Sequence, residues 1–232
     1  MTGPGDGALD ADGGPRVGSD EAGKGPVLGP MVAAAVRARP GAAPDGVDDS
    51  KRLSAERRAS IVATLRDRAA VEIGVAVVPT DRIDDPGTDM NSLTVAAHVE
   101  AVAGVARAGD RVVADAGDVD AARFGRRVAE GVAADGPAVE VHAEHGADAA
   151  DPLVAAASVV AKVERDARME AIDAAYPDHG PVGSGYPSDP ETRAFLRRYV
   201  GATGALPDCA RASWSTADDV LDAAEQSSLS EF

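Results

Sequence analysis

The segment from Val17 to Val36 constrains this chain more than any other part. It reads as a short extended run carrying Asp20 and Glu21, a bend through Gly23-Lys24-Gly25, and then an apolar strand ending near Val36. Successive strand residues point to opposite faces. Asp20 and Glu21 therefore cannot both project from one face of a flat strand. A bend at Ala22-Gly23, or the longer Glu21 side chain, would let both reach one site. The glycines flanking Lys24 permit close backbone approach to a ligand. An acid pair, a glycine bend and one cation suggest hard cations beside a phosphate ester. The same residues also read as an ordinary surface turn, so the rest of the chain must supply matching parts.

A chain of 232 residues suits one domain with a sizeable core. Only 3% of residues are aromatic, so Ala, Val, Leu and Ile must build that core. The single cysteine, Cys209, excludes an internal disulfide and a Cys-based zinc site. No apolar run approaches a membrane span. Residues 1–15 lack the basic and apolar regions of a secretory signal and read as a disordered tail. A cytoplasmic monomer is expected. The formal net charge of -16 argues against a nucleic-acid partner unless the acid excess is an adaptation to high salt. In molar salt the Debye length is about 3 Å, and local contacts decide binding. The chain has only three lysines, Lys24, Lys51 and Lys162, and each falls in a stretch singled out on other grounds.

Along the chain, strand patterns at 27–36 and 71–78 follow the first run, with a helix expected over 55–69 between them. Residues 79–89 read as irregular and 91–108 as helical. Strands are expected at 111–115 and 138–143, with a helix over 121–132 between them. Residues 144–148 form a loop. A long helix begins at Pro152, which suits a first turn, and runs to about Ala175. Asp189-Pro190 starts a helix carrying Phe195, Leu196 and Tyr199 on one face. A last helix covers 216–224. Three early strands followed by β-α-β-α predict an α/β domain with a mixed sheet over 16–224. Residues 225–232 form a tail.

Sites in open α/β sheets gather at strand ends. Asp115 ends one strand, Asp148 follows the last, and Asp20 lies in the first. If those strands are neighbours, Asp20, Glu21, Asp115 and Asp148 converge. Carboxylates packed together repel, and divalent cations relieve the repulsion. Two Mg²⁺-type ions could then serve an in-line phosphoryl displacement. Ser50 and Lys51 offer a hydroxyl and a cation before a helix N-terminus, either a phosphate site or a simple cap. Tyr186, in the loop 183–189, could stack on a sugar or base and sense a 2′-hydroxyl, or pack over the core edge. His145 could shuttle protons or be a bland surface residue. Lys162 and Arg165 could face phosphates or pair with Glu164 and Asp166.

Six collinear stretches resemble ribonuclease HII in its archaeal form: 20–26, 49–51, 114–116, 145–148, 157–166 and 183–189. The resemblance implies a ribonuclease H-like fold, a five-stranded mixed sheet flanked by helices with a helical C-terminal extension. It implies an endonuclease that cuts RNA in RNA–DNA hybrids and 5′ of single ribonucleotides in duplex DNA, leaving 3′-hydroxyl and 5′-phosphate ends. Asp20, Glu21, Asp115 and Asp148 match the four catalytic, metal-binding acids, for Mg²⁺ or Mn²⁺. Gly23, Lys24 and Gly25 match a Gly-Arg-Gly loop that reads the ribonucleotide, and Tyr186 matches the tyrosine at the RNA–DNA junction. Lys24 in place of Arg loses the bidentate fork, and Gly146 stands where a Lys is frequent. The C-terminal Gln226, Leu229 and Phe232 resemble a peptide motif that binds the sliding clamp, PCNA. Two other readings compete: a DNA nuclease of the same fold class, and a non-catalytic, clamp-associated nucleic-acid-binding module.

Overall fold

A computed structural model describes residues 14–43, 47 and 53–229. Ser50, Lys51 and Phe232 lie outside the described residues. Strands β1 (Arg16–Ala22), β2 (Met31–Ala38), β3 (Glu72–Val78), β4 (Arg111–Asp115) and β5 (Glu140–Glu144) form one sheet in the order β3-β2-β1-β4-β5. The glycine bend returns the chain so that β2 runs antiparallel to β1, and β3 runs antiparallel to β2. Strands β4 and β5 run parallel to β1 on its other side. The helices are α1 (Ala55–Arg66), α2 (Thr80–Ile83), α3 (Met90–Ala103), α4 (Ala121–Asp135), α5 (Pro152–Ala175), α6 (Pro190–Thr203) and α7 (Ser215–Leu229). Among the described residues, no helix is long and apolar enough to cross a membrane.

The alternation of β2 divides its side chains between two cores. Ala33 and Ala35 pack with Leu93, Val102, Phe124 and Val128 from α3 and α4. Ala34 and Val36 face the other way, onto Ile61, Leu65, Leu153 and Val160 from α1 and α5. Small residues let α5 come very close to β1. A Cβ on Gly18 would lie 2.2 Å from the Leu153 carbonyl carbon, so only glycine fits there. A third core joins Val27 and Leu28, just after the glycine bend, to Phe195, Leu196, Val200 and Val220 of α6 and α7. The C-terminal helices are thereby anchored to the start of the chain.

Several boundaries differ from the sequence expectation. Residues 80–83 form α2 within a stretch read as irregular. Helix α3 starts at Met90 because the Asp89 side chain accepts the Asn91 and Ser92 amides at 2.9 and 3.0 Å. It ends at Ala103, short of 108, where the chain turns toward Asp110. Helix α1 stops at Arg66, and α7 runs five residues past 224 and takes in Gln226 and Leu229.

A nearly buried ion pair ties β2 to the α3–β4 turn. Arg37 Nε donates to Asp110 at 2.7 Å, and the Arg107 amide donates to the same carboxylate at 2.8 Å. Burial pushes the Asp110 carboxyl up, but Arg37 and the Arg107 amide outweigh it and hold it below the ordinary carboxylate range. A depressed folded value means the contribution is complete above the unfolded pKa and is lost as pH falls through the folded one. Asp110→Asn should cost about 1.5–3 kcal/mol at pH 7, the size of a lost charge-assisted hydrogen bond, since Arg37 keeps its second partner Glu72 at 2.9 Å. Thermal melts at pH 7 and pH 3 check this. The gap between variant and wild type should be wide at pH 7 and narrow at pH 3.

Candidate active site

The parallel pairing of β1 with β4 aligns Ser19 with Ala114, so the next residues, Asp20 and Asp115, are neighbours at the carboxyl ends of both strands. Strand β5 ends beside Asp115. The chain then turns at Gly146, whose φ of 71° suits glycine, and a single 3-10 turn at Ala147–Ala149 delivers Asp148. The Gly146 amide donates to Asp115 Oδ1 at 2.8 Å and orients it. One oxygen each from Asp20, Asp115 and Asp148 falls within 4.8 Å of the others. Asp20 and Asp148 are buried, and Asp115 is half-buried.

This crowding has an electrostatic consequence. Burial, then the Glu21 and Asp115 charges, push the Asp20 carboxyl up to about 7, against hydrogen bonds from Ser158 and the Glu21 amide. Lys162 Nζ donates to Ser158 Oγ at 2.6 Å, which places a cation one hydroxyl away from Asp20. The three donors are all carboxylate oxygens, the set that suits Mg²⁺ or Mn²⁺ and not softer metals. A cation between them would supply the charge that the buried acids lack, so the residues fit a divalent ion.

Glu21 follows strand parity. Asp20 lies on the α5 side of β1, whereas Glu21 lies on the α3 side and meets His98 Nε2 at 2.9 Å. It is not one of the three converging acids. It nevertheless lines the same cleft of about 540 Å³, which wraps the end of the sheet.

The cleft also gathers Gly23, Lys24, Gly25, Lys162 and Tyr186. Lys24 Nζ donates to Asn91 Oδ1 at 3.2 Å and to the Gly117 carbonyl, spanning to the β4–α4 loop. A Cβ at Gly25 would meet nothing within 4 Å, so its backbone is open to a ligand. The Val27 amide donates to the Gly185 carbonyl at 2.8 Å, which fastens the tyrosine loop to the glycine bend. Tyr186 is 42% exposed, with the Arg165 guanidinium 5.5 Å from its ring centre. His145 is exposed and does not line the cleft. Gln226 is exposed on α7, and Leu229 is that helix's last residue.

Sequence reasoning missed several contributors. Arg58 and Asp166 pair at 2.8 Å on the cleft wall. Arg211 is fully buried beneath the glycine bend and donates to the carbonyls of Gly23, Lys24 and Gly29 at 2.6, 2.9 and 3.0 Å. Trp214 Nε1 donates to the Gly25 carbonyl at 3.3 Å. The only signal for these lies in tertiary contact, because their partners are far away in the chain.

The ribonuclease HII family model matches residues 17–217. Ribonuclease HII of Halobacterium salinarum is 61% identical over 217 residues, covering 94% of this chain and 99% of that protein. The crystal structure of ribonuclease H2 from Pyrococcus horikoshii superposes with a TM-score of 0.81 at 33% identity, covering 91% of this chain and 99% of that one. A PCNA:RNase HII complex from Archaeoglobus fulgidus gives 0.74 at 34% identity, covering 88% and 96%. Fold and relatives together define a nuclease of the ribonuclease H type with a mixed five-stranded sheet. The chain belongs to the ribonuclease HII family, in its archaeal form, and is an endoribonuclease of the type 2 class. Its acidic, lysine-poor composition accords with a salt-adapted source.

Proposed function

We propose that the cleft hydrolyses the RNA strand of RNA–DNA hybrids and cuts 5′ of single ribonucleotides in duplex DNA, leaving 3′-hydroxyl and 5′-phosphate ends. The observation that carries this reading is the joining of two parts in one cleft: the converging acids, and a glycine bend hydrogen-bonded to a tyrosine loop. Asp20, Glu21, Asp115 and Asp148 would hold two divalent ions, Mg²⁺ or Mn²⁺. Such ions activate the attacking water and stabilise the leaving oxygen when bound. The chain's own residues bind and orient the substrate. The Gly23-Lys24-Gly25 bend, whose backbone is open at Gly25, approaches the ribonucleotide and its 2′-hydroxyl, and Lys24 adds a charge near the phosphate. Tyr186 stacks at the RNA–DNA junction, backed by Arg165. Lys162, and with it Ser50 and Lys51, contacts the flanking phosphates.

Duplex DNA containing one ribonucleotide, an RNA–DNA hybrid and all-DNA duplex should be offered with Mg²⁺ or Mn²⁺ in high salt. Cleavage of the first two alone is expected. Cleavage of all-DNA would favour a DNA nuclease, and no cleavage a binding module. Tyr186→Ala should lose about 10- to 100-fold on the single-ribonucleotide substrate, the size of one lost stacking contact, and less on the hybrid. An equal loss on every substrate would deny Tyr186 a junction role.

We further propose that the protein acts as a monomer whose Gln226, Leu229 and Phe232 engage the sliding clamp. The Archaeoglobus fulgidus relative crystallised with PCNA supports that partner. Clamp binding by the full chain and by a chain ending at Glu225 should differ. Equal affinities would discard the motif.

A further inference from the structure

His98 is fully buried on α3, where the other core-facing residues are apolar except Thr94. Its ring stands edge-on to Phe124, with centroids 5.0 Å apart, which fixes its plane. Nδ1 lies 2.9 Å from Ser19 Oγ, and that hydroxyl is 3.1 Å from the Ala34 carbonyl. Nε2 lies 2.9 Å from Glu21 Oε2. Both arrangements that satisfy the carboxylate put a proton on Nε2. In one, Ser19 turns its single proton from the Ala34 carbonyl to Nδ1; in the other, Nδ1–H donates to Ser19 Oγ, which keeps its bond to Ala34. Either way, Nε2–H donates to Glu21.

The other side of Glu21 is equally confined. A Cβ on Gly117 would sit 2.5 Å from Thr94 Cγ2 and 3.1 Å from Glu21 Oε1, so the bare backbone of Gly117 lies close against Thr94 and the carboxylate. Strand parity sends Glu21 away from Asp20, Asp115 and Asp148. Something on the α3 side must hold its flexible side chain at the sheet end where the cleft begins. His98 occupies that position, and it commits one carboxylate oxygen while leaving the other.

We propose that His98 is a positioning residue that acts through Glu21, holding this fourth acid at the cleft so that it can serve the bound divalent ion. The inference rests on the reading of Glu21 as part of the metal-holding site. A merely structural histidine would affect folding stability alone. A positioning histidine affects metal affinity, and does so only while Glu21 is present.

The test is calorimetric titration of Mn²⁺ into the full chain in high KCl, for wild type, His98→Leu, Glu21→Gln and the double variant, with turnover of the hybrid measured in parallel. His98→Leu should weaken Mn²⁺ binding about 10- to 100-fold, the usual effect of removing a group that orients a metal ligand. The KM for hybrid should stay near wild type. The double variant should be no weaker than Glu21→Gln alone, because coupled residues are non-additive. Wild-type Mn²⁺ affinity in His98→Leu beside a weakened Glu21→Gln would overturn the inference and leave the site intact. Losses that multiply in the double variant would also overturn it. Wild-type affinity in Glu21→Gln would remove Glu21 from the site and overturn both readings. If His98→Leu does not fold, His98→Asn, polar but too short to reach Glu21, carries the same expectation.

Discussion

Asp20→Asn should sharply reduce turnover and at the same time raise the melting temperature of the metal-free protein. The two effects have one cause. Burial, and then the charges of Glu21 and Asp115, push the Asp20 carboxyl up to about 7. Relative to its ordinary value of 3.8, that shift corresponds to roughly 4 kcal/mol of unfavourable charge burial once the group is ionised. A raised folded value means the protein loses stability as pH rises from the unfolded pKa toward about 7, and the cost is then constant. At pH 8 the amide removes that cost while keeping an acceptor for the Glu21 amide. A gain of several degrees follows for a domain of this size. The lost charge is the one a divalent ion would meet. A unit charge pair at about 4 Å is worth about 4 kcal/mol at an effective dielectric near 20, so the rate should fall about 10³-fold. Differential scanning calorimetry with and without Mn²⁺ checks both signs. Wild type should melt higher with the ion, and the variant should not respond. A destabilised metal-free variant, or one with near-normal turnover, would contradict this account of Asp20.

Arg211→Met should cost about 2–4 kcal/mol and raise KM for nucleic acid while leaving Mn²⁺ affinity unchanged. Burial, then the nearby Arg165, pulls Arg211 down to about 10, a penalty of roughly 3 kcal/mol that methionine would relieve. Against this stand three hydrogen bonds from a charged donor to carbonyls of the glycine bend, each worth about 1.5–3 kcal/mol. The bonds win, because methionine leaves the three carbonyls without their partner. The guanidinium also stacks on Trp214, 4.9 Å from its ring centre, and that contact goes too. The bend would lose its fixed shape, and with it the backbone approach proposed above for substrate recognition. The carboxylates stand on β1, on β4 and after β5, away from this support, so metal binding should be spared. Urea melts and a separate Mn²⁺ titration distinguish the outcomes. A metal affinity that falls with KM would mean that Arg211 supports the whole cleft.

The placement of Asp115 and Asp148 was legible in the chain, because short β-rich runs ended or closed next to them and sites gather at strand ends. The starts of α5 and α6 were legible for local reasons: Pro152 suits a first turn, and Asp189-Pro190 puts a capping carboxylate before a proline; Asp189 accepts a first-turn amide, and Asp151 does the same for α5. Asp89 caps α3 in the same way, but the run before it, with three other aspartates and two prolines, masked the signal. His98 and Arg211 were not legible. The first reads as one polar residue on an apolar helix, and its two partners lie 77 and 79 residues earlier. The second stands in the connection between α6 and α7, and its carbonyl partners lie more than 180 residues earlier.

The sequence by itself determined the order of strands and helices, the glycine bend, the acids at strand ends and the opposed facing of Asp20 and Glu21. These follow from local periodicity, capping chemistry and pleat geometry. The tertiary structure alone decided that the opposed pair still shares a cleft. The cleft wraps the end of the sheet, and a buried imidazole on one side and a tight α5 packing on the other hold each carboxylate to its own wall.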